Sequence, residues 1–363
     1  MAGRTLLFPP VPLPDTLRQL LSAPGPSGYE TAPAAAWRAA AEAFGAQVSA
    51  DVVGSSVARV AGTAGGPRLA VVGHIDEIGL IVTSIDDQGF LHFTGVGGWD
   101  PQVLVGQRVE VIARDGPLRG VIGRKPIHLM RDSEERKKVA EIKDLHLDVG
   151  ARDGDEARGM VRVGDVAVIA GAPEDVPNDR VVSRSLDNRL GAYVALEAAR
   201  LVAEAGGAPG EVVAVAAVQE EITFAGARTS AFALEPDVAL VVDVTHATDA
   251  PGVDARELGS HEFGSGPVLE RGSIVNPRVF EALHDAAEAE GIPFTVSASA
   301  RATGTDADAI HLTRAGVPTG VVSIPLRYMH SPVEMVQLDD VAATARLVAA
   351  FAQRLAPGAS FAR

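Results

Sequence analysis

Cysteine is absent from this chain of 363 residues. Disulfides and thiolate ligands are thereby excluded, so any bound metal must be held by histidine and carboxylate. Aromatic residues are scarce, at 4%, although hydrophobic residues reach 47%. A sizeable core is available, built mostly from Ala, Val, Leu and Ile. Long apolar runs are missing too. No stretch reaches the roughly 18 uninterrupted apolar residues of a membrane span. The opening MAGRTLLFPPVPLPDT is broken by proline and lacks the core of a signal peptide. A cytoplasmic protein with no membrane partner is the expectation. Positive charge is in deficit: 32 Lys and Arg against 47 Asp and Glu leave a formal net charge of −15. A nucleic-acid binder needs a basic stripe, so no nucleic-acid partner is expected.

The length suits two domains. Residues 68–73 (RLAVVG) form a short apolar run that ends in His74 and predict a buried strand. Similar runs recur at 211–218, 237–242 and 317–323. Helical patterns lie between them: over 188–203, after Pro277, and from Leu338 to about Leu355. The Ala-rich patch 33–43 fits a helix surface. Strands alternating with helices predict an α/β domain with a mixed, largely parallel sheet flanked by helices. Residues 78–168 differ. Short alternating stretches (GLIVTSI, QRVEVIA, LRGVIG) are separated by Gly-rich turns, and the charged segment 131–144 reads as surface. This pattern predicts a small β-barrel-like domain inserted into the first. The expected division is 1–77 with 169–363 for the discontinuous α/β domain, and 78–168 for the insert.

The chemistry-bearing residues gather at the predicted strand ends. His74 and Asp76 are two apart, so on a strand they share a face. The Asp76 carboxylate then fixes the His74 tautomer and leaves the other ring nitrogen for a metal. Asp187 stands just before the 188–203 helix. Taken alone, an N-cap is the plainer reading, but its two oxygens also suit bridging two cations. Glu220 and Glu221 follow the strand at 211–218. Adjacent buried carboxylates are costly unless a cation offsets their repulsion, and the carboxyl ends of such strands are where α/β sheets bind ligands. Asp243 closes the next strand, and His330 follows VVSIPLRYM. His246, close to Asp243, is a lesser candidate. His284 and His311 fit helix surfaces. The set His74, Asp187, Glu221, Asp243 and His330 supplies nitrogen and oxygen ligands that suit Zn²⁺, Co²⁺ or Mn²⁺. Glu220, left free beside them, fits a general base.

The chain closely resembles the glutamyl/tetrahedral aminopeptidases, which are two-metal peptidases with an inserted dimerisation domain. The resemblance spans nearly the whole chain. It rests on APGPSGYE (23–30), GHIDEIG (73–79), GGWDPQVLVGQRV (97–109), IGRKPIHL (122–129), SLDNRLGA (185–192), QEE (219–221) and the run 304–334. It implies a zinc-peptidase-like fold. It implies that His74 and Asp243 hold one metal, that Glu221 and His330 hold the other, and that Asp187 bridges. Glu220 would be the base and Asp76 would orient His74. Zinc is the implied metal, with cobalt or manganese as alternatives. Short peptides are the implied substrates, and dimers closing into dodecameric shells the implied assembly. One departure stands after QEE, where Thr223 and Ala225 replace an expected Gly and Arg. No ligand is lost, but pocket shape and substrate preference are in doubt. The extension MAGRTLLFPPVPLP is longer than the pattern expects.

Two other activities fit parts of the pattern. Paired acids also serve glycosidases, although that chemistry does not need the three other strand-end residues, and the chain holds only two Trp and three Tyr. A metal-dependent deacylase or carboxypeptidase on the same kind of sheet is the other. A non-catalytic assembly protein is disfavoured because every expected ligand and the base are present.

Overall fold

The four apolar runs become the parallel centre of a sheet. The computed structural model describes residues 12–130 and 136–362. Within it, strands Gly210–Ala217, Gly66–His74, Val238–His246 and Thr319–Arg327 lie side by side in that order, all parallel. Val212 to Ala217 and Val238 to Val242 are buried without a break. Such continuous burial is what a parallel sheet covered on both faces demands. Antiparallel strands extend the sheet on both sides, and Val268–Gly272 with Thr295–Ser299 branches from Thr319–Arg327 to complete 11 strands. Ser56–Val60 and Gln47–Ala50 lie on one side. Glu334–Gln337, Arg180–Ser183 and Glu174–Val176 lie on the other.

Helix Leu186–Glu204 packs along three of the central strands, and helix Leu338–Gln353 packs on it in turn. Leu190, Val194 and Ala198 are buried, and Leu201 on the same stripe is half-buried. The helix is buried well beyond that stripe, and Arg189 within it is 0% exposed. Two glycines let it sit so close. A Cβ at Gly73 would lie 2.2 Å from the Gly191 carbonyl carbon, and one at Gly191 would lie 2.2 Å from the Val242 oxygen. The start of this helix is therefore pinned against the strands that carry His74 and Asp243.

Strands Gly79–Ile85, Leu91–Val96, Leu145–Asp148, Gly116–Arg124, Arg108–Ala113 and Val166–Ile169 pair antiparallel in that order and close into a barrel. Leu80, Val82, Leu91, Phe93, Val109, Val111, Ile122 and Leu147 fill a core of its own. Alternation along Leu91–Val96 puts Leu91 and Phe93 inside and His92 and Thr94 outside. Short helices Pro101–Leu104 and Gly154–Met160 interrupt the strands. Of the charged segment, residues 136–139 are exposed and 131–135 lie outside the described residues. Most of the N-terminal extension also lies outside them. The patch 33–43 falls in helix Thr31–Ala43, which exposes part of its surface and buries Pro33, Ala34, Trp37 and Ala41.

Candidate metal centre

His74 is the last residue of its strand, and Asp76 stands two further on. His74 Nδ1 lies 3.3 Å from Asp76 Oδ1, too poorly aligned for a hydrogen bond. The neighbouring strand ends at Ala217, paired with His74. Gln219 then takes a left-handed conformation, and Glu220 and Glu221 open the single-turn helix Glu220–Thr223. They are thus helix-first residues rather than an extension of the strand. The Asp76 oxygens accept the Glu220 and Glu221 N–H groups, each at 3.1 Å. Asp243 sits three residues before the end of Val238–His246, and its Oδ1 accepts from Val244 N at 2.8 Å. His246, an odd number of residues away, points to the other face and is exposed.

The side chain of Asp187 does not cap its helix. Its Oδ1 is 3.2 Å from His74 Nε2 and its Oδ2 is 3.3 Å from His330 Nε2. His330 Nε2 is also 3.5 Å from Glu221 Oε1. His330 Nδ1 donates to the Gly98 carbonyl at 2.8 Å, so a barrel loop fixes the tautomer and leaves Nε2 free. Glu220 Oε2 approaches His74 Nε2 at 3.7 Å. His74, Asp187 and Asp243 offer ligand atoms all within 4.8 Å of one another, and so do Asp187, Glu221 and His330. Asp187 belongs to both groups. His74, Glu220 and Glu221 form a third, overlapping group.

Charge at the centre is unbalanced without cations. Burial first, then the charges of Asp243, Asp306 and Glu221, push the Glu220 carboxyl up to about 10, against an opposing pull from His74. Burial likewise raises Glu221 to about 8 and Asp243 to about 7, with Asp187 adding to both. Hydrogen bonding to Asp187 raises His330 to about 9. Burial opposes the charged form of His74, but Glu220, Asp187 and Asp76 outweigh it and hold its pKa well above the usual value. Buried carboxylates in this number call for positive charge. Two imidazoles and three carboxylates, split into two sets that share one member, are a donor set that fits two divalent ions.

Other buried carboxylates support the centre, and strand and helix spacing gave no sign of them. Glu334 accepts from Asp187 N through Oε2 and from His330 N through Oε1, both at 3.0 Å. Glu30 accepts from Gln219 N. Asp306 is 1% exposed, and neither of its oxygens has a hydrogen-bond partner among the described residues. Glu77 is buried between Arg184 and Arg189 and forms ion pairs with both. Arg189 also donates to the carbonyls of Leu20, Ala23 and Ile75, which ties the N-terminal helix Asp15–Ser22 to the strand end at the site.

The M42 glutamyl aminopeptidase family matches residues 54–347. The chain belongs to that family. Among relatives of this M42 chain, the lysyl aminopeptidase of Pyrococcus furiosus is 34% identical over 349 residues, covering 94% of this chain and 97% of the relative. The TET aminopeptidase of a marine-sediment Thaumarchaeota archaeon superposes with a TM-score of 0.89 at 37% identity, over 94% of this chain and 96% of that one. The Pyrococcus horikoshii TET1 peptidase, described as assembling into a tetrahedron or a large octahedral shell, superposes with a TM-score of 0.83 at 30% identity, over 94% and 99%. The M42 protein is thus a metal-dependent aminopeptidase, a peptide hydrolase. No described helix is long and apolar enough to cross a membrane. At the departure after QEE, the Thr223 hydroxyl donates to the Gln219 carbonyl at 3.3 Å, while Ile222 is 48% exposed.

Proposed function

We propose that this M42 chain removes N-terminal residues from short peptides with two divalent cations. His74 and Asp243 would hold one, Glu221 and His330 would hold the other, and Asp187 would be shared between them. The observation that carries the reading is Asp187, whose two oxygens each meet the Nε2 of a different histidine. Bound there, a cation pair supplies a nucleophilic water at neutral pH and polarises the scissile carbonyl. Glu220, not needed as a ligand, takes the proton of the attacking water and delivers it to the leaving amine. Asp76 holds the Glu220 and Glu221 amides as well as facing His74, so it fixes the base and a ligand together. Zinc is the metal we favour, with cobalt and manganese accommodated by the same donors.

Residues 78–168 form the inserted unit in this reading. Through it two chains pair about a two-fold axis, and dimers close into a dodecameric shell. The support is the separate core of the barrel and the shells formed by the TET1 relative. The shell and a cytoplasmic location belong to the same proposal.

Elemental analysis and turnover of an aminoacyl p-nitroanilide test the centre. The wild-type chain should carry two metals and hydrolyse the substrate. Asp187→Asn should lose metal from both sites. Two metals and full activity in that variant would remove the bridge and leave Asp187 a helix-start residue only.

A further inference from the structure

Glu30 is the last residue before helix Thr31–Ala43 and is 5% exposed. Its carboxylate does not cap that helix. Instead Oε1 accepts two amides, Gly28 N at 2.6 Å and Gln219 N at 3.0 Å. The second bond crosses 189 positions of sequence to the residue just before Glu220.

Gln219 has φ 59 and ψ 33, the left-handed region that residues other than glycine seldom occupy without support. That conformation turns the chain from strand Gly210–Ala217 into helix Glu220–Thr223. It also lines up three successive N–H groups. Gln219 N goes to Glu30, and Glu220 N and Glu221 N go to the two oxygens of Asp76. Left-handed and right-handed residues in succession make a concave nest of amides that receives anions. Here the nest is filled by two buried carboxylates of the chain itself. Glu30 is a member of none of the three ligand groups, so its carboxylate is not needed to hold a metal.

We infer that Glu30 is a positioning residue for Glu220: by accepting the Gln219 N–H it holds the left-handed turn that aims the Glu220 carboxylate. The inference rests on the reading of Glu220 as base. Reach, not charge, is what the role requires. The amide oxygen of glutamine can accept the same two N–H groups. An aspartate keeps the charge but falls one methylene short of Gln219.

The experiment compares Glu30→Ala, Glu30→Asp and Glu30→Gln in the metal-loaded chain, with an aminoacyl p-nitroanilide as substrate. Misplacing a catalytic group by about 1 Å costs up to ~10²-fold. Glu30→Ala and Glu30→Asp should therefore lower kcat by ~10- to 100-fold, with KM within ~3-fold of wild type and metal content unchanged. Glu30→Gln should return kcat to within ~3-fold. Hydrogen exchange at the amides of residues 219–221 should speed up in the first two variants and recover in the third. Should Glu30→Ala fail to fold, the contrast between Asp and Gln decides alone. Wild-type kcat in Glu30→Asp, or a Gln variant as slow as the Asp variant, overturns the role. A fully active Glu220→Gln would instead remove the base reading. An inactive Glu220→Gln beside a fully active Glu30→Asp removes only the inference about Glu30.

Discussion

Glu334→Ala should loosen metal binding without touching a ligand. The carboxylate of Glu334 is 2% exposed and accepts the backbone N–H groups of Asp187 and His330. Removing it strands two amides, at about 1–3 kcal/mol each, so about 2–6 kcal/mol together. Part of this is offset. Burial and then the charge of Asp187 hold the Glu334 pKa well above the usual carboxylate range, so the folded chain also sheds a costly buried acid. The net loss of stability should fall toward the low end, about 2 kcal/mol. The larger effect is on orientation. Both freed segments carry proposed ligand side chains, and losing such outer support costs ~10- to 100-fold in metal affinity. The assay is Zn²⁺ titration of the stripped chain against a competing chelator, read as two binding steps. Asp187 faces both histidines, whereas His330 serves one group only. Both steps should therefore shift, and the step at the Glu221–His330 site should shift further than the other. Two unshifted binding steps with wild-type activity would refute the argument.

Glu220→Gln keeps size but cannot take a proton, and turnover should fall by ~10²–10⁴-fold with two metals retained; near-normal turnover removes Glu220 from the mechanism. The metal-stripped chain should lose thermal stability as pH rises from about 5 to 9. Glu221, Asp243 and His330 all have raised folded-state pKa values, so their contribution is present at low pH and is lost as each passes through about 8, 7 and 9. Asp187, held below its usual value, is already ionised throughout this window and adds no slope. Reloading with Zn²⁺ should flatten the melting curve, and a stripped chain equally stable at pH 5 and 9 would contradict the charge balance. Light scattering of the wild-type chain at micromolar concentration should give a dimer or a dodecamer, and a monomer would end the shell proposal.

The central strands were legible because continuous apolar runs bounded by turns have few other readings. The barrel was legible through alternation. His74, Asp187, Glu221, Asp243 and His330 stood out because each follows or precedes a strong periodic element, and the structure brings all five together. Glu30, Glu334 and Asp306 did not stand out. Each lies in a loop or at an element boundary, where an acid looks like ordinary surface. Their burial comes from segments far away in sequence, such as Gln219 over Glu30. Arg189 was hidden for the same reason. On a helix it reads as the polar face, yet a partner at Glu77 and carbonyls from the N-terminal helix let it sit wholly inside.

The bond from His330 to the barrel ends on a backbone oxygen, that of Gly98. Alanine at Gly98 itself would pass over this contact. A Cβ at Gly98 would come no closer than 3.5 Å to the imidazole, an ordinary contact, and the carbonyl would remain. What the contact depends on is the path of the loop, and that path is guarded one residue earlier. A Cβ at Gly97, which has φ +76, would meet Ile78 at 2.6 Å. Loop length is therefore the sensitive variable. Grafting the barrel of another relative onto this chain would preserve the histidine's acceptor only if the residue count between Val96 and Pro101 were kept.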